Sequence, residues 1–387
     1  MHSADLVPLI AGLMILVSSM ISLRFGISVA VIEILIGVLA GTAGLEPADW
    51  MIYFAGFGGI ILTFLAGAEV DLKLLKEKFS QSLLIGLGSF GVPLVFTFIY
   101  TYFWAGWSLN ASLIAGVAMS ETSIAVVYSV LLETGLIRTQ TGKTLMAATF
   151  ITNTGTALML SILFAKLTLY MWVFIIVSIG VIYLATRFSH LVFENPVFKN
   201  KVVEPELKYI FALLLVFIYF ANLGGGHAIL PAFLLGLFMS RHFAEVKTAS
   251  NVKGRIRIVA FSLITPVFFI VVGMKVQLFV VLGAFVMFFE LFIIKQVSKF
   301  LGVYFIAKKI FPQGDDMYST LLLSTGLTFG LIALMFGLKS EYITQTQYSV
   351  LTAVLIASAV VPTFIAQKWF MPRHLEDINT APDKDGK

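Results

Sequence analysis

Ala115-Gly-Val-Ala-Met-Ser-Glu-Thr-Ser-Ile-Ala125 sets a carboxylate, Glu121, among the hydroxyls of Ser120, Thr122 and Ser123 inside an otherwise apolar run. A second apolar run is interrupted by Ser324-Thr-Gly-Leu-Thr-Phe-Gly330. Two lysines, Lys295 and Lys299, lie within a third, Phe288-Phe-Glu-Leu-Phe-Ile-Ile-Lys-Gln-Val-Ser-Lys-Phe-Leu301. A charge at bilayer depth costs roughly 2.5–3.5 kcal/mol on insertion scales. A chain that keeps several such groups moves an ion or a polar solute past them. The three segments therefore read as the interior of a membrane transport protein.

Composition supports the membrane assignment. Hydrophobic residues make up 59% of the 387 residues and charged residues 12%, and the mean hydropathy is +0.97. A soluble domain carries about 25% charged residues. The apolar runs are continuous and show no strand-like alternation. Helices, which satisfy their own backbone groups, are then the spanning elements. At about 20 apolar residues per span, the pattern predicts an all-α polytopic membrane protein with about 13 transmembrane helices. The chain has no cysteine, which excludes disulfides, thiolate metal sites and cysteine nucleophiles. Met1-His-Ser-Ala-Asp has no basic region of the kind that opens a signal peptide. No phosphate-binding glycine loop, His-Glu-x-x-His motif or nucleotide domain is present, so the reading is a non-enzyme that uses an ion gradient or passive flow. The net charge of +5 is not a nucleic-acid signal, because the basic residues sit in short loops.

Those loops set the orientation. Most of the 26 basic residues fall on one side when loops are sorted by parity, in clusters such as Lys73, Lys76 and Lys78, or Arg255 and Arg257. The other side holds Lys166, Lys275 and Lys339. Basic loops stay in the cytoplasm, so the N-terminus is expected outside and the C-terminus inside. An odd number of spans makes a helix and its counterpart seven spans later run in opposite directions. Spans four to six and eleven to thirteen can then form an inverted repeat with the site between repeats. Glu121 falls in the fifth span and Ser324-Thr-Gly in the twelfth. Polar or glycine interruptions at matching positions predict two broken, crossing helices.

The order of several further segments resembles the monovalent cation:proton antiporter-2 family of sodium/proton antiporters. Val31-Ile-Glu-Ile-Leu-Ile-Gly-Val-Leu-Ala-Gly41 is similar to its Gly-Glu-Ile-Leu-Ala-Gly segment, and Phe64-Leu-Ala-Gly-Ala-Glu-Val-Asp71 to its Phe-Leu-Ala-Gly-Leu-Glu-Ile-Asp. Ser120-Glu-Thr-Ser123 resembles its Ser-x-Thr-Ser stretch. His227-Ala-Ile-Leu-Pro-Ala-Phe-Leu-Leu-Gly236 and Pro266-Val-Phe-Phe-Ile-Val-Val-Gly-Met-Lys-Val276 also match. The resemblance implies the inverted-repeat antiporter fold. It also implies exchange of Na⁺ (or Li⁺ or K⁺) for H⁺ by elevator-type alternating access, without a cofactor.

It further implies an organisation. Residues 1–78 and 205–275 would form scaffold and dimerisation helices, 79–166 and 276–371 the transport core, 167–204 a linker helix and loop, and 372–387 a disordered tail. The expected setting is a homodimer in the lipid bilayer of a prokaryotic-type inner membrane, with no nucleic-acid partner. Two other readings of the same fold are a K⁺ channel-like efflux module and an organic-anion transporter.

The family's ion site is an adjacent pair in the sixth span, which falls on Thr152-Asn153. There the chain departs from the pattern, because the second residue is normally Asp. Asn153 offers a carbonyl oxygen to a cation and cannot exchange a proton. Either Asn153 stands where an Asp is natural, or the proton site has moved, with Glu121 the candidate. Asn153 and Glu121 are thus the candidate Na⁺ ligands, with Thr152, Thr122 and Ser123 beside them.

Lys299 matches the family's lysine in the eleventh span, a counter-ion to the carboxylates. Lys295, four residues earlier, shares its helix face. A carboxylate is expected near the two lysines, and Glu121 and Glu290 are the candidates. Ser324 and Thr325 either line the broken helix or bond back to their own helix. Glu33 reads as a structural or gating carboxylate. Glu69 and Asp71 would sit at a cytoplasmic rim, and His227 in a loop.

Overall fold

The computed structural model describes residues 3–25, 28–70, 77, 79–134, 136, 139–164, 169–193, 203–224, 227–245, 252–312 and 314–372. Asp71, Lys73, Lys76, Lys78, Lys166 and the tail beyond residue 372 lie outside them, with the expectations attached to them. Every element among the described residues is helical. In chain order they are α1 (Ser3–Phe25), α2 (Val29–Thr42), α3 (Asp49–Ala68), α4 (Phe79–Ile99), α5 (Leu109–Ser120), α6 (Ile124–Glu133) and α7 (Gln140–Leu163). The second half has α8 (Leu169–Arg187), α9 (Ser189–Phe193), α10 (Pro205–Gly224), α11 (Ile229–Glu245), α12 (Val252–Val259) and α13 (Thr265–Met274). It closes with α14 (Leu278–Gly283), α15 (Phe285–Ile310), α16 (Asp315–Leu323), α17 (Thr328–Lys339) and α18 (Gln345–Trp369).

Nine segments among the described residues are long and apolar enough to cross a membrane, counting the broken Asp315–Lys339 as one. Helices α2 and α5 and the start of α11 are apolar but shorter. The two interruptions predicted from sequence are present. Helix α5 stops at Ser120 and α6 restarts at Ile124; α16 stops at Leu323 and α17 restarts at Thr328. Two further irregularities are π-helical turns, Tyr100–Trp104 after α4 and Ala260–Ile264 between α12 and α13.

The chain divides into two compact units. One comprises residues 1–72 and 157–278, the other residues 73–156 and 279–387. In the first, α2 packs on α13 and α3 packs on α11. Both contacts are glycine seams. A Cβ on Gly37 would meet the Ile270 carbonyl, and one on Gly273 would meet the Ile34 carbonyl. On the other seam, Gly67 faces the Phe233 carbonyl and Gly236 faces the Phe64 carbonyl. Only glycine lets backbones approach this closely, the small-residue packing used where lipid supplies no hydrophobic drive.

The two seams are one contact made twice. In the predicted span order α2, α3 and α4 are spans two, three and four, α11 and α13 spans nine and ten, and α15 span eleven, so exchanging each for its counterpart seven spans away turns the α2–α13 pairing into α11–α3. The helix ends agree: α3 closes on Glu69 and α13 on Lys275, and the N–H just after each cap, that of Val70 or Val276, returns to a glycine carbonyl, Gly67 or Gly273.

The second unit repeats the logic on itself. Helices α4 and α15 cross where Gly88 faces the Gly302 carbonyl and Gly302 faces the Gly88 carbonyl. Fourth and eleventh spans are counterparts, so this contact maps onto itself. Helix α7 runs along α4: Ser82 lies by the Thr144 carbonyl, Gly86 by Ile151, and Gly155 against the Phe90 ring. Helix α18 opens on a capping box between Thr344 and Gln347 and packs against α15, α16 and α17. The broken helices and the lysine helix α15 all belong to this unit.

Candidate functional site

Each broken helix leaves unpaired carbonyls at the end of its first half and unpaired N–H groups at the start of its second. In the second unit those ends converge. Segment 121–123 and segment 324–327 cross, with the Ser123 N–H donating to the Thr325 carbonyl at 3.2 Å. The Thr122 hydroxyl donates to the Leu323 carbonyl at 2.9 Å. Ser358 of α18 donates to the Gly326 carbonyl at 3.2 Å.

Opposite charges are sorted onto opposite helix ends. The Glu121 carboxylate accepts the Leu327 N–H at 2.7 Å and the Phe329 N–H at 3.2 Å, at the start of α17. Helix N-termini carry partial positive charge, which favours an anion there. The lysines do the reverse at the end of α5: Lys295 Nζ donates to the Met119 carbonyl at 2.8 Å, and Lys299 Nζ to the Ser120 carbonyl at 2.7 Å. Helix C-termini carry partial negative charge and favour a cation. Lys299 Nζ also donates to Ser89 Oγ at 2.9 Å and Thr122 Oγ1 at 2.8 Å, so its three protons meet three acceptors. Glu121, Lys295 and Lys299 are all fully buried.

No direct ion pair closes this cluster. Among the described residues, neither lysine nitrogen lies within 4.0 Å of a carboxylate oxygen. Gly326 sits between the charges: a Cβ there would stand 2.6 Å from Lys295 Nζ and 3.0 Å from Glu121 Oε2. In a dry interior, attraction across such a gap remains substantial.

The predicted residues divide by placement. Glu121, Thr122, Ser123, Lys295 and Lys299 come together at the crossing. Ser324 and Thr325 are there as backbone, but their hydroxyls bond back to the Thr320 and Leu322 carbonyls. Thr152 likewise donates to the Thr149 carbonyl. Asn153 is fully buried on α7, and neither its Oδ1 nor its Nδ2 has a hydrogen-bond partner. A buried amide without a partner costs about 1–3 kcal/mol unless a ligand or water meets it.

Glu290 is elsewhere. It is exposed and accepts a hydrogen bond from Tyr100. Five residues at about 100° each turn it roughly 140° from Lys295, onto another face of α15. Glu121 is thus the carboxylate that meets the lysines.

Outside the crossing, Glu33 is buried in α2. Glu69 pairs with Arg257 at 3.7 Å. Burial pushes its carboxyl up, and Lys253 and Arg257 oppose that shift. His227 packs edge-on against Phe164.

Sequence reasoning missed Ser89 and Ser358; the two helix breaks pointed to exposed carbonyls and N–H groups without singling out Met119, Ser120, Leu327 and Phe329, and Gly326 was read only as part of a break. Ser89 had a signal, as a hydroxyl in the apolar middle of α4. The backbone groups had none beyond the helix breaks. Among the described residues no cluster of three or more His, Asp or Glu is placed to hold a resident metal.

Comparisons agree with this architecture. The Na(+)/H(+) antiporter of Enterococcus hirae is 25% identical over 382 residues, covering 90% of this chain and 93% of that protein. The probable Na(+)/H(+) antiporter 3 of Methanocaldococcus jannaschii is 27% identical over 369 residues, covering 89% and 92%. The solved sodium proton antiporter MjNhaP1 from Methanocaldococcus jannaschii superposes with a TM-score of 0.69 at 14% identity, covering 100% of both chains. A sequence model described as "Sodium/hydrogen exchanger, transmembrane" matches residues 10–371. With its paired broken helices and buried lysine–glutamate crossing, the chain belongs to the transmembrane sodium/hydrogen exchanger family.

Proposed function

We propose that the chain is a secondary antiporter that exchanges Na⁺ for H⁺, with Glu121 the group the two ions occupy in turn. Li⁺ or K⁺ are competing substrates of the same chemistry. The observation that carries the reading is the Glu121 carboxylate, buried at the crossing and held by the Leu327 and Phe329 N–H groups at the start of α17. Asn153, at the position where the family's Asp stands, has no proton to exchange. The titrating role therefore passes to Glu121, and the unpaired Asn153 amide is left to ligate the cation.

Competition for one carboxylate couples the two fluxes. A proton neutralises Glu121, or a cation does. The empty anion is costly to move through an apolar barrier. Both loaded forms carry the same charge, so exchange is electroneutral. Alternating access is then of elevator type, carried by the unit that holds the crossing. We infer a homodimer with the N-terminus outside and the C-terminus in the cytoplasm.

The test is an acid-loaded proteoliposome containing a pH-sensitive dye. Added NaCl should relieve quenching with the wild-type chain and not with Glu121→Gln. Cation current without proton movement would instead indicate a channel-like module. Sodium-independent uptake of an organic anion would indicate an anion transporter.

A further inference from the structure

Helix α15 carries a stripe of exposed residues, Val286, Phe289, Ile293 and Val297, in which Glu290 is the single charge. Their spacing at three and four residues puts them on one face. Apolar residues exposed along a spanning helix face hydrocarbon. A carboxylate among them is costly unless it reaches the headgroup layer or meets a cation. Among the described residues no cation of this chain lies within 4.0 Å of it.

Its depth follows from the helix. Helix α15 ends in Lys308 and Lys309, and basic residues at the end of an apolar helix mark a membrane border. Glu290 lies about five turns, or about 27 Å, before Lys308. The hydrocarbon core is about 30 Å thick, so Glu290 stands just inside the opposite border.

The neighbouring helix is built to meet it there. At the end of α4 the backbone widens into the π-helical turn Tyr100–Trp104, and Tyr100 donates its hydroxyl to Glu290 Oε2 at 2.5 Å. Phe103 and Trp104 in the same turn are exposed at 68% and 76%, and interfacial aromatics of this kind sit at headgroup level. A carboxylate oriented by a phenol at the headgroup layer recognises an ammonium by charge and by accepting its N–H. At the headgroup layer, the abundant ammonium is that of a phospholipid.

We propose that Glu290, held by Tyr100, binds the primary ammonium of a phosphatidylethanolamine headgroup at this edge of the second unit. The acyl chains then lie along the Phe289–Ile293–Val297 face. This site is separate from the ion-exchange crossing and independent of the exchange reading.

The experiment is lipid retention by the purified chain in native mass spectrometry, with defined detergent-solubilised lipids. Phosphatidylethanolamine should be retained over phosphatidylglycerol, and Glu290→Gln should lower that preference about fivefold. Tyr100→Phe, which leaves the carboxylate, should fall between the two. Glu290 is exposed, so the variant keeps its fold, checked by an unchanged melting temperature in phosphatidylglycerol. Phosphatidylcholine, which has no N–H to donate, should bind more weakly. Equal retention of choline and ethanolamine lipids would overturn the primary-ammonium assignment. Unchanged retention in Glu290→Gln would overturn the site itself. Loss of a dimer in Glu290→Gln with lipid retention intact would also overturn it, assigning the face to a second copy.

Discussion

Glu121 Oε2 accepts the Leu327 N–H at 2.7 Å, so the carboxylate that ends one broken helix is anchored on the first turn of the other. The same carboxylate balances two buried ammonium groups that, among the described residues, have no ion pair within 4.0 Å. Its removal should therefore cost more than one hydrogen bond. Glu121→Ala strands Lys295 and Lys299 and is expected to destabilise the protein by about 3–5 kcal/mol. Glu121→Gln keeps an acceptor for Leu327 and should melt closer to wild type. Thermal melts of both variants in detergent check the order.

Gly326 leaves room for the charges. A Cβ there would stand 2.6 Å from Lys295 Nζ and 3.0 Å from Glu121 Oε2. Gly326→Ala must push one of them aside, at about 1–3 kcal/mol for overpacking. Because the displaced groups are the ones proposed to handle the ions, exchange should fall at least as strongly as stability. Gly326→Ala with wild-type melting and wild-type exchange would contradict this geometry.

The α4–α15 seam makes a sharper comparison. Gly302→Ala would drive a methyl into the Gly88 carbonyl and should destabilise by about 1–3 kcal/mol. At Gly91, on the same α4, an added methyl would meet nothing within 4 Å. Gly91→Ala should be neutral or stabilising by up to about 1 kcal/mol. The two melts should move in opposite directions or differ by at least that much.

Asn153→Asp adds a second titrating group to the unit that already holds Glu121. With one carboxylate, cation-loaded and proton-loaded forms have equal charge. With two, an additional proton moves per cycle. Exchange by the wild-type chain should ignore an imposed membrane potential, and exchange by Asn153→Asp should respond to it. Valinomycin-clamped proteoliposomes give the answer directly.

Much of this was legible in the sequence, and the reasons are physical. Intramembrane polar residues are expensive, so Ser120–Ser123 and Ser324–Gly330 announced both helix breaks, and Lys295 and Lys299 announced the helix between them. Four-residue spacing put those lysines on one face, as the structure has it. Which carboxylate they meet was not local information. Glu290 is close in sequence but five residues away, which turns it to another face of α15. Glu121 is distant in sequence and meets them through tertiary packing. The hydroxyls of Thr122 and Ser324 look alike in sequence. One crosses to Leu323 and Lys299, while the other bonds back to Thr320. The glycine seams were hidden for the same reason, since a glycine shows its purpose only when the facing carbonyl is known.

The most direct test is the sodium dependence of proton efflux in proteoliposomes as pH is varied, for wild type and Glu121→Gln at matched reconstitution. If Na⁺ and H⁺ compete for Glu121, the wild-type apparent KM for Na⁺ should rise by up to about tenfold per pH unit on acidification, because the ligand must be deprotonated to bind. The Gln variant should show no sodium-driven efflux at any pH. Sodium-driven efflux by Glu121→Gln at the wild-type rate, with the same pH dependence, would contradict the assignment.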